Sequence, residues 1–351
     1  MYMIMYQGYP LSSRNAKIRS AMAQPATPAA NKDYPATWRE FLQWFPDDEA
    51  CARYVERLRW PEGFVCPRCE AAGEPYRSSR ARLMCRSCGF QASVTAGTIF
   101  DKTRTPLTVW FAAAWYMISQ KHGTSALGLQ RTLGLGSYET AWTMMHRFRR
   151  AMVRPDREGL QGTVEVDEIY VALGDRENPF VPKRLKGKRE TGKQLLIIAA
   201  EVLSPKGIGR VRMRRIPTAS REYIEPFIVD YVNPAARLRT DGSHVYLSLE
   251  SKGYRHDRVI VNDLVRGKVG ELPVVNRVAS LLHRWLLGTH HGAVQPPQLD
   301  YYLEEFAFRF NRRTSRSRGM LFYRLLSQAC QTGPITYTDV VHKPLRAEAE
   351  T

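Results

Sequence analysis

The sequence predicts an α/β protein, with a mixed β-sheet and flanking helices preceded by a small cysteine-built module and a helical region. Three observations carry this expectation. Two C-x2-C pairs lie close together near the N-terminus, at Cys66/Cys69 and Cys85/Cys88. Apolar residues at helical spacing dominate from there to about residue 158. Beyond residue 160 the runs TVEVDEIYVA, QLLIIAAEVL and GRVRMRRI are β-rich and separated by turn-like or charged segments. The 351 residues suffice for two or three cores, and 44% hydrophobic with 25% charged residues suits soluble domains.

Taken in order, residues 1–34 mix Ala, Pro, Ser and Asn without periodicity and read as a disordered leader. Residues 35–100 hold two short helices, around Trp38, Phe41, Phe45 and Tyr54, Val55, Leu58, followed by the cysteine module. The pattern C-x2-C-x15-C-x2-C fits a tetrahedral zinc site in which two turns each aim two thiolates at one point. Four thiolates leave no open position, so Zn²⁺ on Cys66, Cys69, Cys85 and Cys88 is expected to be structural. Cys51 and Cys330 stand alone and read as packing residues.

Residues 101–158 form the helical region. Thr105-Pro106 resembles an N-cap followed by proline at the first helical position. The segment SALGLQRTLGLGSYETAWTMMHRFRRAM then reads as helix, glycine turn, helix, with a basic end at Arg147, Arg149 and Arg150. That grammar fits a DNA-reading helix-turn-helix, and it fits a plain helical hairpin equally well.

Residues 160–328 carry three strands, a helix, a strand and a further helix, the element order of a ribonuclease-H-like core. A C-terminal tail, residues 329–351, follows. The first strand, Val164-Glu165-Val166-Asp167-Glu168-Ile169-Tyr170, buries acids among β-branched residues, a costly choice unless each acid is paired or holds a cation. Alternation places Glu165 and Asp167 on one face and Glu168 on the other. Asp241, at the end of ARLRT and before Gly242, is a second candidate ligand, although Asp-Gly is also a common turn dipeptide. Two such carboxylates suit a pair of Mg²⁺ ions clamping the oxygens of a phosphoryl transfer.

Composition points to the same substrate class. Lys and Arg number 52 against 34 Asp and Glu, a net charge of +18, which favours a polyanion. No membrane role is expected, because the longest apolar run, residues 195–203, is interrupted by Glu201. The N-terminus lacks the features of a secretory signal, so a cytoplasmic, nucleoid-associated protein is expected.

Several motifs together resemble a known family. They are Cys66-Pro-Arg-Cys69 with Cys85-Arg-Ser-Cys88-Gly89, the strand VEVDEIYV, Thr240-Asp241-Gly242, Gly253-Tyr254-Arg255-His256, RWLLGTHHG and YLEEFAFRFNRR. The chain resembles, from about Tyr34 to Leu326, the zinc-ribbon DDE transposases of bacterial insertion sequences, the ISXO-like group. The resemblance implies a ribonuclease-H-like catalytic core with Asp167 as first acid and Asp241 as second. It places Asn276 at the third position, which is Glu in the acidic branches and Asn or His in others. His283, seven residues on, stands where those branches have Lys, and it shares a helix face with Asn276. Glu271 is the nearest carboxylate, but it precedes Pro273 and reads as loop.

The implied activity is DNA transposition with Mg²⁺ or Mn²⁺ on Asp167, Asp241 and Asn276: hydrolysis at the element ends, then attack of the freed 3′-hydroxyl on target DNA. Double-stranded DNA, both element ends and target, is the implied partner, and pairing two ends implies a homodimer or higher multimer. Lys183, Arg184, Lys186, Lys188 and Arg189 read as a phosphate-binding loop, with Arg312 and Arg313 as further DNA contacts. Phe306, Phe308 and Phe310 are expected to build core. The rival class is a catalytically inactive or domesticated zinc-ribbon DNA-binding protein, a reading that Asn276 keeps open.

Overall fold

Local capping signals set the first elements. Thr37 Oγ1 accepts from Glu40 N at 3.2 Å and Glu40 Oε2 accepts in turn from Ala36 N at 2.7 Å, which starts helix α1 (Trp38–Trp44). Asp47 caps α2 (Asp48–Arg59) in the same way, accepting from Ala50 N at 2.8 Å. The computed structural model describes residues 28–78, 82–153, 157–173, 193–259, 272–291, 293–342 and 345.

The chain divides into two compact units, residues 1–108 with 317–334, and residues 109–316 with 335–351. In the first, α1 and α2 share an aromatic core with α9 (Arg318–Gln331): the Phe322 ring lies 5.5 Å from Phe41 and 5.7 Å from Phe45. Gly319 permits this approach, since a Cβ there would fall 1.8 Å from the Pro35 carbonyl oxygen. Cys51 and Cys330 are buried, as packing residues should be. Residues 317–328, expected in the same segment as the strands, group with the first unit. The end of the expected leader, residues 28–34, is built: the Asp33 carbonyl accepts from Tyr54 Oη at 2.8 Å, and Tyr34 is buried. Residues 1–27 lie outside the described residues.

The cysteine module carries a small antiparallel sheet of β1 (Tyr76–Arg77), β2 (Arg82–Met84) and β3 (Gln91–Ser93). Helix α3 (Leu107–Ser119) starts one residue beyond Pro106. Its first turn is capped not by Thr105 but by Asp48, whose Oδ1 accepts from Thr108 N at 2.9 Å.

In the second unit, α4 (Ala126–Leu133) and α5 (Tyr138–Met152) form the expected hairpin. Ser125 and Ser137 are the N-caps, and Gly134 ends α4 in the left-handed region at φ 62°. The basic end of α5 is not all surface. Arg149 is buried, donates to Glu305 Oε2 at 2.8 Å, and lies 3.9 Å over the Tyr302 ring. Glu305 sits on α8 (Leu299–Phe310), so the C-terminal half of α5 is a packing surface.

The large sheet has the order β6-β5-β4-β7-β8. Its strands are β4 (Thr163–Ala172), β5 (Lys193–Val202), β6 (Ile208–Ile216), β7 (Arg237–Asp241) and β8 (Arg255–Val259). β4, β5 and β6 pair antiparallel; β4 with β7 and β7 with β8 pair parallel. This is the mixed sheet and element order expected for the catalytic segment. Alternation sends Val164, Val166, Ile197 and Ala199 to one face, packed on α6 (Arg221–Tyr231) and Tyr246. The other face, with Val171, Leu196, Ile198 and Ala200, packs on α7 (Pro273–His290) and α8, where Phe306 and Phe310 build core as expected. A short helix, α10 (Tyr337–His342), closes the described chain. Among the described residues no helix is long and apolar enough to cross a membrane.

Candidate active site and metal centre

The cysteine quartet converges. Cys66 Sγ lies 3.7 Å from Cys88 Sγ, and Cys69 Sγ lies 3.6 Å from Cys85 Sγ; all four fall within 4.8 Å of one another. A tetrahedron with metal–sulfur spokes of 2.3 Å has edges of about 3.8 Å, so the thiols fit a zinc ion. The two halves repeat one backbone pattern. Glu70 N donates to Cys66 O and Gly89 N to Cys85 O, while Cys66 N and Cys85 N donate to Ala71 O and Phe90 O. Each turn needs a left-handed residue four positions after its first cysteine: Gly89 at φ 70° and Glu70 at φ 59°. Amides of Cys88 and then Ser87, aimed at Cys85, draw its thiol down towards the thiolate that binds metal.

The acids of β4 divide by their surroundings. Glu165 is buried, and its charge is matched by three donors: Arg239 Nη1 at 2.9 Å, Val274 N at 2.7 Å and Val275 N at 3.0 Å. Asp167, one pleat further on the same face, accepts one bond among the described residues, from Glu168 N at 2.9 Å. Burial pushes the Asp167 carboxyl up to about 6, with the charges of Asp241 and Glu165 adding to it. Burial likewise raises Glu168 to about 7, again with contributions from Asp167 and Asp241, against a hydrogen bond from Tyr246 Oη.

Asp241 arrives from β7. The β4–β7 ladder pairs Thr163 with Arg237 and Glu165 with Arg239, where it ends; Asp167 and Asp241 each follow two residues further along their strands. Asp241 also opens a turn, its Oδ1 accepting from Ser243 N at 3.0 Å, so the turn and ligand readings are compatible. Among the described residues no Lys or Arg pairs with Asp167 or Asp241. Carboxylates crowded together without a counter-charge are the donor set of a hard divalent cation.

Asn276 lies in the first turn of α7, next to the two amides bound by Glu165, and is exposed. His283 lies about two turns on along the same face, partly buried. Among the described residues, neither side chain is hydrogen-bonded to the acids. Glu271 lies outside the described residues, as do Lys183, Arg184, Lys186, Lys188 and Arg189. Arg312 and Arg313 turn onto the protein. Arg312 donates to Phe308 O at 3.0 Å, and Arg313 donates to Phe310 O at 2.9 Å and to Ile208 O.

The histidines separate as well. His256 Nε2 is 2.8 Å from Oγ1 of Thr240, the neighbour of Asp241. His290 is buried between Trp285 and Tyr302, and burial pushes it down to about 2, so it is a neutral core residue. His291 ends α7 in the left-handed region. Sequence reasoning gave no role to Glu165 or Tyr246. For Glu165 the signal was present: a carboxylate buried in a strand must find donors.

Fold and site thus define a two-part protein, a thiolate metal ribbon ahead of a mixed α/β domain that gathers acids on neighbouring strands. Comparison with known proteins narrows this class. Residues 46–91 match the transposase zinc-ribbon domain, and residues 159–311 match the ISXO2-like transposase domain. One relative is an uncharacterized protein in transposable element ISH50 of Halobacterium salinarum, 29% identical over 289 residues, covering 79% of this chain and 95% of the relative. With both domains in this order, the chain carries a transposase zinc ribbon and an ISXO2-like transposase domain, and so resembles the zinc-ribbon transposases of the ISXO-like group.

Proposed function

We propose that the protein cuts insertion-sequence ends and joins them to target DNA, using Asp167, Asp241 and Asn276 at one metal-dependent site. The observation that carries this reading is the contrast between acids on one strand: Glu165 is fully matched by donors, whereas Asp167, its carboxyl raised by burial and by the charge of Asp241, pairs with no Lys or Arg among the described residues. Asp167 and Asp241 would hold divalent ions, Mg²⁺ or Mn²⁺, with the Asn276 amide oxygen as third ligand. The ions supply Lewis-acid stabilisation and an activated water or 3′-hydroxyl. The chain's own part is to fix the carboxylates on two neighbouring strands and to present α7 beside them. His283 faces the DNA from the same side of α7 as Asn276, as a hydrogen-bond donor to phosphate.

The basic segment with Lys183, Arg184, Lys186, Lys188 and Arg189 supplies phosphate contacts, supported by the net charge of +18. Arg312 and Arg313 serve DNA with whatever donors remain beyond the carbonyls they bind. Two chains or more pair the element ends, in the cytoplasm. The inactive reading has one observation in its favour, an uncharged residue at the third position.

A strand-transfer assay with Mg²⁺ or Mn²⁺ separates the two readings. Joined product from wild type, lost in Asp167→Ala and Asp241→Ala, is the expected result. DNA binding by the wild type without nicking or joining in either ion would favour the inactive protein.

A further inference from the structure

We infer, resting on the catalytic reading above, that Glu165 is a positioning residue: its one buried carboxylate ties together the three elements that carry Asp167, Asp241 and Asn276. The three donors to Glu165 come from two other elements, each next to a proposed site residue. Glu165 precedes Asp167 by two residues on β4. Arg239, which donates to Oε1 at 2.9 Å, precedes Asp241 by two residues on β7. Strand alternation therefore puts Glu165, Asp167, Arg239 and Asp241 on one face. Val274 and Val275, which donate to Oε2 at 2.7 and 3.0 Å, immediately precede Asn276 on α7.

Two further features single out this carboxylate. The first amides of a helix lack intrahelical acceptors, and the N-cap of α7 is Leu272, whose side chain offers none. Glu165 takes that place from 109 residues away. It sets a negative charge where the helix dipole favours one, and so fixes where α7 begins. The β4–β7 ladder also ends at the Glu165–Arg239 pair. The clamp thus sits at the last rung before the strands reach the acids, where their separation is decided. Any slack there is passed one pleat on, to Asp167 and Asp241, and one residue on, to Asn276.

The test is a double-mutant cycle on metal-dependent DNA cleavage by the full chain, using Glu165→Gln, Asn276→Ala and the pair. The Gln amide oxygen can still accept from the helix amides but cannot neutralise Arg239. Glu165→Gln is expected to raise the Mn²⁺ concentration for half-maximal cleavage about tenfold, with DNA affinity unchanged. Asn276→Ala is expected to cost about tenfold in the wild type and less than twofold on top of Glu165→Gln. Should Glu165→Gln fail to fold, Arg239→Gln opens the clamp from its exposed side, with a several-fold shift expected in the same metal requirement.

Additive losses with an unchanged metal requirement would overturn the positioning role and leave Glu165 a general stabiliser. A wild type inactive in both ions would instead overturn the catalytic reading on which the role depends.

Discussion

The zinc ribbon and the acid site are both places where negative ligand atoms are forced together, and the protein builds them in opposite ways. In the ribbon, two short turns with the same backbone pattern each bring their own pair of thiols, so the ligands converge through local geometry. The proposed acid site draws its groups from separate elements, β4, β7 and α7, that the five-stranded sheet sets side by side. Among the described residues, only the thiols bring three or more His, Cys, Asp or Glu ligand atoms within 4.8 Å of one another. A locally made site can serve as a folding nucleus for its module. A site assembled from distant elements inherits its precision from the fold, and it is free to hold groups that destabilise that fold until metal or substrate arrives.

The largest expected effect breaks the ribbon half of this comparison. Structural zinc contributes about 10–16 kcal/mol of apparent binding free energy in small zinc modules. Chelation, or Cys66→Ser, is therefore expected to unfold the segment around residues 46–93 and remove one zinc per chain, as read by metal analysis and thermal unfolding. Retention of the ribbon's structure without metal would contradict it.

Next comes the acid half. Asp241→Ala is expected to lower DNA cleavage by about a thousandfold or more, about 4 kcal/mol of barrier, without lowering the unfolding temperature. A fall in stability that matches the loss of activity would make Asp241 a structural turn residue like any other.

A smaller effect concerns pH. Asp167 and Glu168 are raised to about 6 and about 7, so the fold favours their protonated forms. Their contribution to stability is complete below pH ~4, and it is lost as pH rises through 6 to 7. Without divalent ions, these two acids are expected to take away about 1–2 kcal/mol of stability between pH 5 and pH 8, the carboxyls being partly screened by water. The Asp167 share is read as the difference between wild type and Asp167→Asn, because the buried neutral His146 and His290 add stability up to about pH 6.5 in both proteins. The acids that are lowered, Glu201 and Glu225, are already ionised across this window and do not mask the effect. Apparent Mn²⁺ affinity should rise over the same range, because binding must displace those protons.

The smallest effect sharpens the account of the ribbon's two turns. Glu70 holds a left-handed conformation that Gly89 adopts freely at the equivalent position. Glu70→Gly is expected to stabilise the zinc-loaded module by about 0.5–1 kcal/mol in thermal unfolding.

How much of this was legible in the sequence follows the same division. The ribbon could be read from spacing, because its ligands are neighbours along the chain. Asp167 and Asp241 could be read from their places in and at the end of strands, and the mixed sheet from the run of β-rich segments. What could not be read were partnerships across long separations. Arg149 read only as part of a basic helix end, yet it pairs with Glu305 at a separation of 156 residues. Glu165 looked interchangeable with its acidic neighbours, and only its donors on β7 and α7 set it apart. The segment 318–328 continued the helical texture before it, and its aromatic partner, Phe41, lies at the other end of the chain. Asn276 came from family resemblance alone; it lies exposed in the first turn of α7, without a contact to the acids among the described residues.

The central claim is that Asp167 and Asp241 share a divalent cation. The most direct test is anomalous X-ray scattering from crystals of the protein bound to an element-end DNA duplex and soaked in Mn²⁺. The account predicts an anomalous peak bridging the Asp167 and Asp241 carboxylates, with the Asn276 amide oxygen in its coordination shell. A peak elsewhere, or none at these acids while the DNA is in place, would contradict it.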